Sequence, residues 1–376
     1  MKLRIKGKSF NIQEPVVKPV TRYLHLARAN DYAFLCHEIP LDFEDLTIIT
    51  TNMAVQNIQN VKLVCVPEID HLMEGDIVGI FDNGLIRTLY QKNAVHNSIL
   101  VTERCNSNCL MCSQPPKDVD DIELLHNLHK KLIPLIPKNC KQIGITGGEP
   151  TILGNKLLEL IRLFKEELPN TGLHILSNGR SFSYGQIAKK ISDINHPDLM
   201  FGIPIYSDYY QIHDYVVQAR NAFYQTILGI QNLKRFGVPV EIRIVLHEIT
   251  ITRLPKLAEY IYKNMPYVDH VAFMGLEITG FTLANMEKLW IDPVNYMNEL
   301  EEAVLFLDNR GIHVSIFNTP LCLLPKTLWH VSRKSISDWK NVYFEECKKC
   351  SEVEKCGGFF ESSEKKHSQF IKAIVS

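Results

Sequence analysis

Three cysteines stand together in VTERCNSNCLMCSQPP, at Cys105, Cys109 and Cys112, and no fourth follows nearby. Thiolates are soft ligands, and four of them close the first shell of a zinc ion or an iron–sulfur cluster. Three thiolates on a four-iron cluster leave one iron open to a small molecule, which makes such a loop a site of chemistry rather than a structural staple. Zinc is the alternative, although a zinc site usually shows paired CX2C knuckles. A second group lies near the C-terminus, where Cys347, Cys350 and Cys356 have CX2CX5C spacing and Cys322 stands upstream in TPLCLLP. Four cysteines can close a shell around an iron–sulfur cluster or around zinc. Cys36, Cys65 and Cys140 sit singly in or beside apolar runs, where a free cysteine behaves as a small core residue. His126 and His129 share a predicted helix at i, i+3 spacing, which a partly solvated face explains better than a metal site. No residue is singled out as a catalytic acid, base or nucleophile.

The elements that position these groups follow from the hydrophobic pattern. Up to about Asn97 short apolar runs such as LTIIT and VKLVCV are broken by polar residues and prolines, which predicts a β-rich domain over 1–97. Its clearest piece is GDIVGIFDNGLIRTLY, in which Asp82-Asn83-Gly84 between alternating apolar residues signals a hairpin. β-rich modules with hairpins commonly receive an extended peptide at a sheet edge, so this domain is a candidate for substrate docking. Beyond Asn97 short β-branched runs alternate with longer amphipathic segments, the pattern of a parallel sheet covered by helices. Six βα units are predicted, with strands SILVTE, QIGIT, GLHIL, LMFGIPIY, VEIRIVL and HVAFM. They make an α/β class chain with a full or partial barrel over 98–310. One more strand, HVSIF, leads into a region over 311–376 that holds the second cysteine group.

In such sheets the functional loops sit at the carboxyl ends of the strands. Those ends carry the three cysteines, then Gly147-Gly148-Glu149-Pro150, then Ser177-Asn178-Gly179, then Tyr206-Ser207-Asp208. Unusual residues therefore gather on one rim. Arg243 lies inside the fifth strand, where a buried arginine needs an anionic partner, either a ligand carboxylate or a carboxylate of the protein.

Composition excludes other classes. A hydrophobic content of 45 %, charged content of 22 % and formal net charge of −1 lack the basic excess of a nucleic-acid binder. No apolar run approaches the ~20 residues that span a bilayer, and the start of the chain has no long apolar stretch after its basic residues. A cytoplasmic location is expected, with ten reduced cysteines and no nucleic-acid or membrane partner.

The spacing CX3CX2C after a strand resembles the signature of the radical S-adenosylmethionine (radical SAM) superfamily, and Cys105, Cys109 and Cys112 match it residue by residue. The resemblance implies a partial (β/α)6 barrel and a four-iron cluster whose open iron chelates SAM. One electron then cleaves the sulfonium, and the 5′-deoxyadenosyl radical takes a hydrogen atom from the substrate. An electron donor such as flavodoxin or ferredoxin is implied with it. Met111, where the superfamily often has an aromatic residue, would pack softly against adenine. Gly147 and Gly148 would let the backbone approach the methionyl end, and Glu149 would accept from its ammonium; the other reading is a plain turn. Ser177 and Asn178 would lie near the ribose or carboxylate, or form an ordinary turn. Tyr206, Ser207 and Asp208 would reach SAM or substrate. CX2CX5C resembles the auxiliary-cluster spacing of SPASM and twitch extensions, which implies a second 4Fe–4S cluster on Cys347, Cys350 and Cys356, with Cys322 a candidate fourth ligand.

Longer strings resemble one family within the superfamily, the His-Xaa-Ser system radical SAM maturases: HNSILVTERCNSNCLMCSQPPKD, LCLLPKTLW, RKSISDWKN and CGGFFESS. That likeness implies a short, ribosomally made precursor peptide as substrate, modified after translation. Two other classes remain at this stage. One is a radical SAM enzyme acting on a small metabolite or activating another protein; the other is a non-catalytic zinc-binding interaction protein.

Overall fold

β-branched runs such as TIIT and KLVC form strands that bury both faces. Ile48 and Ile49 point to opposite sides of their strand, and both are fully buried, in two different clusters. The computed structural model describes residues 3–29, 31–40, 45–55, 58, 60–335 and 341–375. Two compact units emerge: one made of Met1–Ile99, Asp121–Ile143 and Glu159–Thr171, the other of Leu100–Asp120, Gly144–Leu158 and Gly172–Ser376.

The first unit holds an eight-stranded sheet in the order Arg4–Lys6, Leu85–Tyr90, Ile77–Ile80, Val16–Thr21, Ala33–Cys36, Thr47–Thr50, Lys62–Cys65, Lys8–Phe10. Its centre is parallel and its flanks antiparallel. The predicted hairpin is present, with positive φ at Gly84 and Leu85 donating its amide N–H to Asn83 Oδ1 (3.0 Å). The outer edge of its second strand pairs with Arg4–Lys6, so the hairpin presents no free edge there to an incoming peptide. Cys65 lies in the core and Cys36 packs against it. The helix Ile122–Leu132 belongs to this unit and seats Leu125 and Leu128 on Phe81. His126 and His129 are 4 % and 2 % exposed, so the solvated face expected for them is corrected: they share the buried face of Leu125, Leu128 and Leu132. His126 Nε2 lies 3.2 Å from Glu159 Oε2.

The second sheet follows chain order through Asn97–Leu100, Gln142–Thr146, Gly172–Leu176, Leu199–Pro204, Val240–Val245, His270–Met274, Val314–Phe317 and Ser332–Arg333. The six predicted strands and HVSIF are all in it, and the pairs from Gly172–Leu176 onward are parallel. Amphipathic helices Asn155–Glu167, Gly185–Ile194, Ala222–Arg235, Leu254–Asn264 and Met297–Asp308 intervene. A helix at Tyr210–Val217 has no counterpart among the predicted elements. Its sequence, YQIHDYVV, is aromatic and β-branched, and burial of His213, Val216 and Val217 overrides that local preference. Past Arg333 the chain forms short turns and a two-stranded ladder of Asn341–Val342 with Phe359–Phe360. Of the string RKSISDWKN at 333–341, residues 336–340 lie outside the described residues. Among the described residues no helix is long and apolar enough to cross a membrane.

Candidate active site

The first strand of the second sheet ends at Leu100, and the chain then runs as an irregular loop through all three cysteines. Backbone pairing fixes its entry: Val101 N–H donates to Thr146 O (2.9 Å), Gly148 N–H to Thr102 O (2.8 Å) and Glu149 N–H to Arg104 O (2.8 Å). A Cβ at Gly147 would stand 2.7 Å from Thr102 O, and one at Gly148 only 2.0 Å from Arg104 O. Both positions need glycine because the backbone leading into Cys105 occupies the space of a side chain.

Glu149 is fully buried and organises two turns. Its Oε1 accepts from Thr151 N–H (3.0 Å), Thr151 Oγ1 (2.7 Å) and Ser177 Oγ (2.7 Å), and its Oε2 from Asn178 N–H (2.7 Å). A carboxylate has about four acceptor sites, so these donors meet most of its capacity, and Oε2 retains room for one more. Asn178 in turn donates from Nδ2 to Asn106 Oδ1 (2.6 Å), and Arg180 donates from Nη1 to Ser107 Oγ (3.1 Å) and to the Asn106 carbonyl. The polar turn Ser177–Arg180 thus braces the middle of CNSNC.

The other flank is braced by segments farther along the chain. Asn108 and Leu110 donate their amides to the carbonyls of Val217 (3.0 Å) and Val216 (2.9 Å). Asn285 Nδ2 donates to Leu110 O (3.0 Å), Thr282 Oγ1 to Met111 O (3.3 Å) and Phe281 N–H to Cys112 O (2.9 Å). Gly280, at φ +54°, lets that segment pass, since a Cβ there would sit 2.3 Å from Cys112 O. Met111 is buried with Tyr206, Val216, Val217 and Leu289, against which Cys109 packs. Thr151, Arg180, Gly280, Thr282 and Asn285 are the site residues that sequence reasoning missed.

Burial pushes the Cys105 thiol up to about 11 and the Cys109 thiol up to about 12, and raises Cys112 as well. The Cys109 thiol also feels the charges of Cys112 and Cys105, and that of Cys105 feels Glu149 and Cys112. An open cavity of about 590 Å3 lies beside Cys105 and is lined by Asn106, Ser107, Ile152 and Gln218 as well. Among the described residues, no three His, Cys, Asp or Glu side chains are arranged around a single metal ion. The donor set is nonetheless three mutually interacting soft thiols with open space on one side, which suits a cluster that needs a fourth, non-protein ligand.

The remaining predicted rim residues are more internal. Tyr206 is buried, and burial together with the charges of Cys109 and Cys112 raises its phenol pKa well above the usual value. Ser207 Oγ accepts from Tyr209 N–H (3.1 Å), and Asp208 is held by Arg253 through two hydrogen bonds of 2.8 and 2.6 Å. Arg243 Nη1 donates to Glu241 Oε1 (2.7 Å), so a protein carboxylate already supplies the partner its burial requires. Burial alone would raise the Glu241 pKa, but His174, His270 and Arg243 hold it well below the usual carboxylate range. His213 and His247, whose rings lie 5.8 and 6.0 Å from that of Tyr206, are driven down to about 3 by burial, with the charge of Arg180 adding to the effect at His213.

At the C-terminal cysteines the sulfurs accept backbone hydrogen bonds. Leu321 N–H (3.4 Å) and Gly358 N–H (3.5 Å) donate to Cys356 Sγ, and Ile374 N–H (3.4 Å) donates to Cys350 Sγ. Burial raises the Cys322 thiol, and Cys356 and Cys347 add to the shift. Cys347 likewise feels Cys356 and Cys350. Cys322, Cys347, Cys350 and Cys356 thus lie near enough for their charges to influence one another, although among the described residues no three of them are arranged around a single metal ion.

With this geometry in place, comparison with known proteins identifies the fold. Residues 99–261 match the profile described as "Radical SAM superfamily". An uncharacterized protein of Methanocaldococcus jannaschii, MJ0907, is 26% identical over 222 residues, which is 57% of this chain and 71% of that protein. The solved structure of a histidine-tagged anSMEcpe with bound AdoMet aligns with a TM-score of 0.52 at 15% identity, covering 74% of this chain and 88% of that one. Streptococcus suis SuiB bound to precursor peptide SuiA aligns with a TM-score of 0.46 at 15% identity, covering 59% of this chain. This chain spans about half, 48%, of that SuiB chain. The chain carries the α/β radical SAM fold, with its parallel sheet and the three-cysteine loop after the first strand.

Proposed function

We propose that this chain is a radical SAM enzyme that modifies a short, ribosomally made peptide after translation. The observation that carries the enzymatic part is the loop of Cys105, Cys109 and Cys112, which lies inside the span that matches the superfamily and is braced by turns from elsewhere in the chain. These three residues would hold a 4Fe–4S cluster and leave one iron for SAM. When bound, cluster and SAM supply reductive sulfonium cleavage and a hydrogen-abstracting radical. Cys347, Cys350, Cys356 and Cys322 would hold a second cluster, which the N–H···S contacts to Cys350 and Cys356 support.

The chain's own residues do the positioning. The free acceptor site on Glu149 Oε2 would take a SAM ammonium N–H while its other sites lock the turns that carry it. Gly147 and Gly148 bring this turn against Arg104, one residue before the first cysteine. Ser177 and Asn178 serve that carboxylate and the cysteine loop. Tyr206 and Met111 form the apolar floor beneath Cys109 and help to exclude water. Arg243, held by Glu241, would present the rest of its guanidinium to a ligand carboxylate.

A peptide substrate is supported by the strings around the first cysteines, Cys322 and Cys356 that resemble His-Xaa-Ser system maturases. The first unit would help to dock that peptide, an electron donor such as flavodoxin or ferredoxin would serve it, and the cytoplasm would house it. The test is anaerobic incubation with SAM, reductant and a short His-Xaa-Ser repeat peptide, followed by mass spectrometry. A peptide mass shift that requires both SAM and reductant is expected. SAM cleavage with the peptide unchanged would move the substrate to another class.

A further inference from the structure

Arg180 places a cation against the cysteine loop, and no carboxylate among the described residues pairs with it. Its Nη1 donates to Ser107 Oγ (3.1 Å) and to the Asn106 carbonyl, and its Nε donates to Gln225 Oε1 (2.7 Å) on the helix Ala222–Arg235. All three acceptors are neutral. The backbone that carries the side chain is fixed by its own turn: Arg180 N–H donates to Asn178 Oδ1 (3.1 Å), and Gly179 reaches φ +77° with its N–H on Ser177 Oγ (3.1 Å). The same charge is felt at Cys109, whose thiolate it favours, and at His213, which it helps to keep neutral.

We infer that Arg180 is a positioning residue that anchors the cysteine loop and, through its unneutralised charge, makes the cluster held there easier to reduce. This rests on the reading of Cys105, Cys109 and Cys112 as ligands of a 4Fe–4S cluster. Adding one electron to a cluster adds one negative charge. A fixed cation in a partly buried setting stabilises the reduced form more than the oxidised form, so the potential rises. The guanidinium fork suits the task because it can bond the loop and Gln225 at once while keeping its full charge.

The test compares midpoint potentials in wild type, Arg180→Lys, Arg180→Gln and Gln225→Glu, each loaded with iron and sulfide without oxygen. The potential is followed by electron paramagnetic resonance during a dithionite titration, using the signal that is absent when Cys105, Cys109 and Cys112 are all alanine. Arg180→Lys keeps the charge and is expected to keep the potential. Arg180→Gln removes the charge, and Gln225→Glu neutralises it without altering any contact to the loop. Both are expected to lower the ratio of reduced to oxidised cluster at the wild-type midpoint about tenfold, or ~59 mV for one electron. An unchanged midpoint in Gln225→Glu overturns the inference, and that variant alone decides if Arg180→Gln fails to hold iron. Wild type lacking the signal would instead overturn the cluster assignment, a result distinct from a cluster that ignores both substitutions.

Discussion

The two cysteine groups are held in different ways. Cys105, Cys109 and Cys112 lie on one continuous loop, and distant segments brace that loop through its backbone and its polar neighbours Asn106 and Ser107. Cys347, Cys350 and Cys356 also share one short stretch, but Cys322 comes from another, and the sulfurs of Cys350 and Cys356 take hydrogen bonds from residues as far off as Leu321 and Ile374. A local chelate can exist as soon as its loop is seated on the barrel. A chelate that joined Cys322 to the other three would form only when the tail has folded, so metal binding and folding would be coupled there.

The largest effect expected from this contrast is in Cys356→Ala. The substitution removes a buried sulfur that accepts two backbone N–H groups and is a proposed ligand of the second cluster. Roughly half of the iron should be lost, amide protection over 341–375 should fall, and peptide modification should stop while SAM cleavage continues. Iron analysis, hydrogen exchange and mass spectrometry read these outcomes. A variant that modifies the peptide as well as wild type would reduce the second group to a structural part.

Glu149→Gln probes the local side of the comparison. An amide in that position places a donor against a donor of the buried cluster Thr151, Ser177 and Asn178, which costs about 1–3 kcal/mol. Urea unfolding should show that loss, and SAM cleavage should drop at least tenfold with iron content retained. Unaltered cleavage would remove Glu149 from the SAM site and leave it as a brace.

A smaller, graded effect concerns pH. His213 and His247 have folded pKa values of about 3, below the unfolded value of ~6.5. Their contribution to stability is complete above ~6.5 and is lost as pH falls from there toward about 3, because the unfolded chain takes up protons that the folded chain refuses. Each contributes a slope of up to ~1.4 kcal/mol per pH unit in that window. His247→Gln should lessen the pH dependence of urea unfolding between about pH 6.5 and 5; equal slopes would mean that His247 titrates in the folded protein.

What could be read from the sequence follows the same division between local and distant. The spacing of Cys105, Cys109 and Cys112, the turn at Gly84 and the order of the six strands are all encoded within short windows. Glu149 was recognised as a rim acceptor, but its partners Ser177 and Asn178 lie across another turn, and only folding shows that they brace one another. Arg180, Gly280 and Asn285 were invisible because their partners on the cysteine loop lie 74, 168 and 175 positions away. The helix Ile122–Leu132 was expected with the barrel, yet its apolar face packs on Phe81, so periodicity identified the element and not its host.

The central claim is that the Cys105–Cys109–Cys112 loop holds a cluster that cleaves SAM. Its most direct test is quantification of 5′-deoxyadenosine after anaerobic incubation with SAM and dithionite, for wild type and for the variant with all three cysteines changed to alanine. Wild type should hold roughly eight iron atoms per chain and produce 5′-deoxyadenosine. The triple variant should keep about half of the iron and produce none. Equal 5′-deoxyadenosine from the two proteins, or a wild type that takes up zinc and cleaves no SAM, would contradict the account.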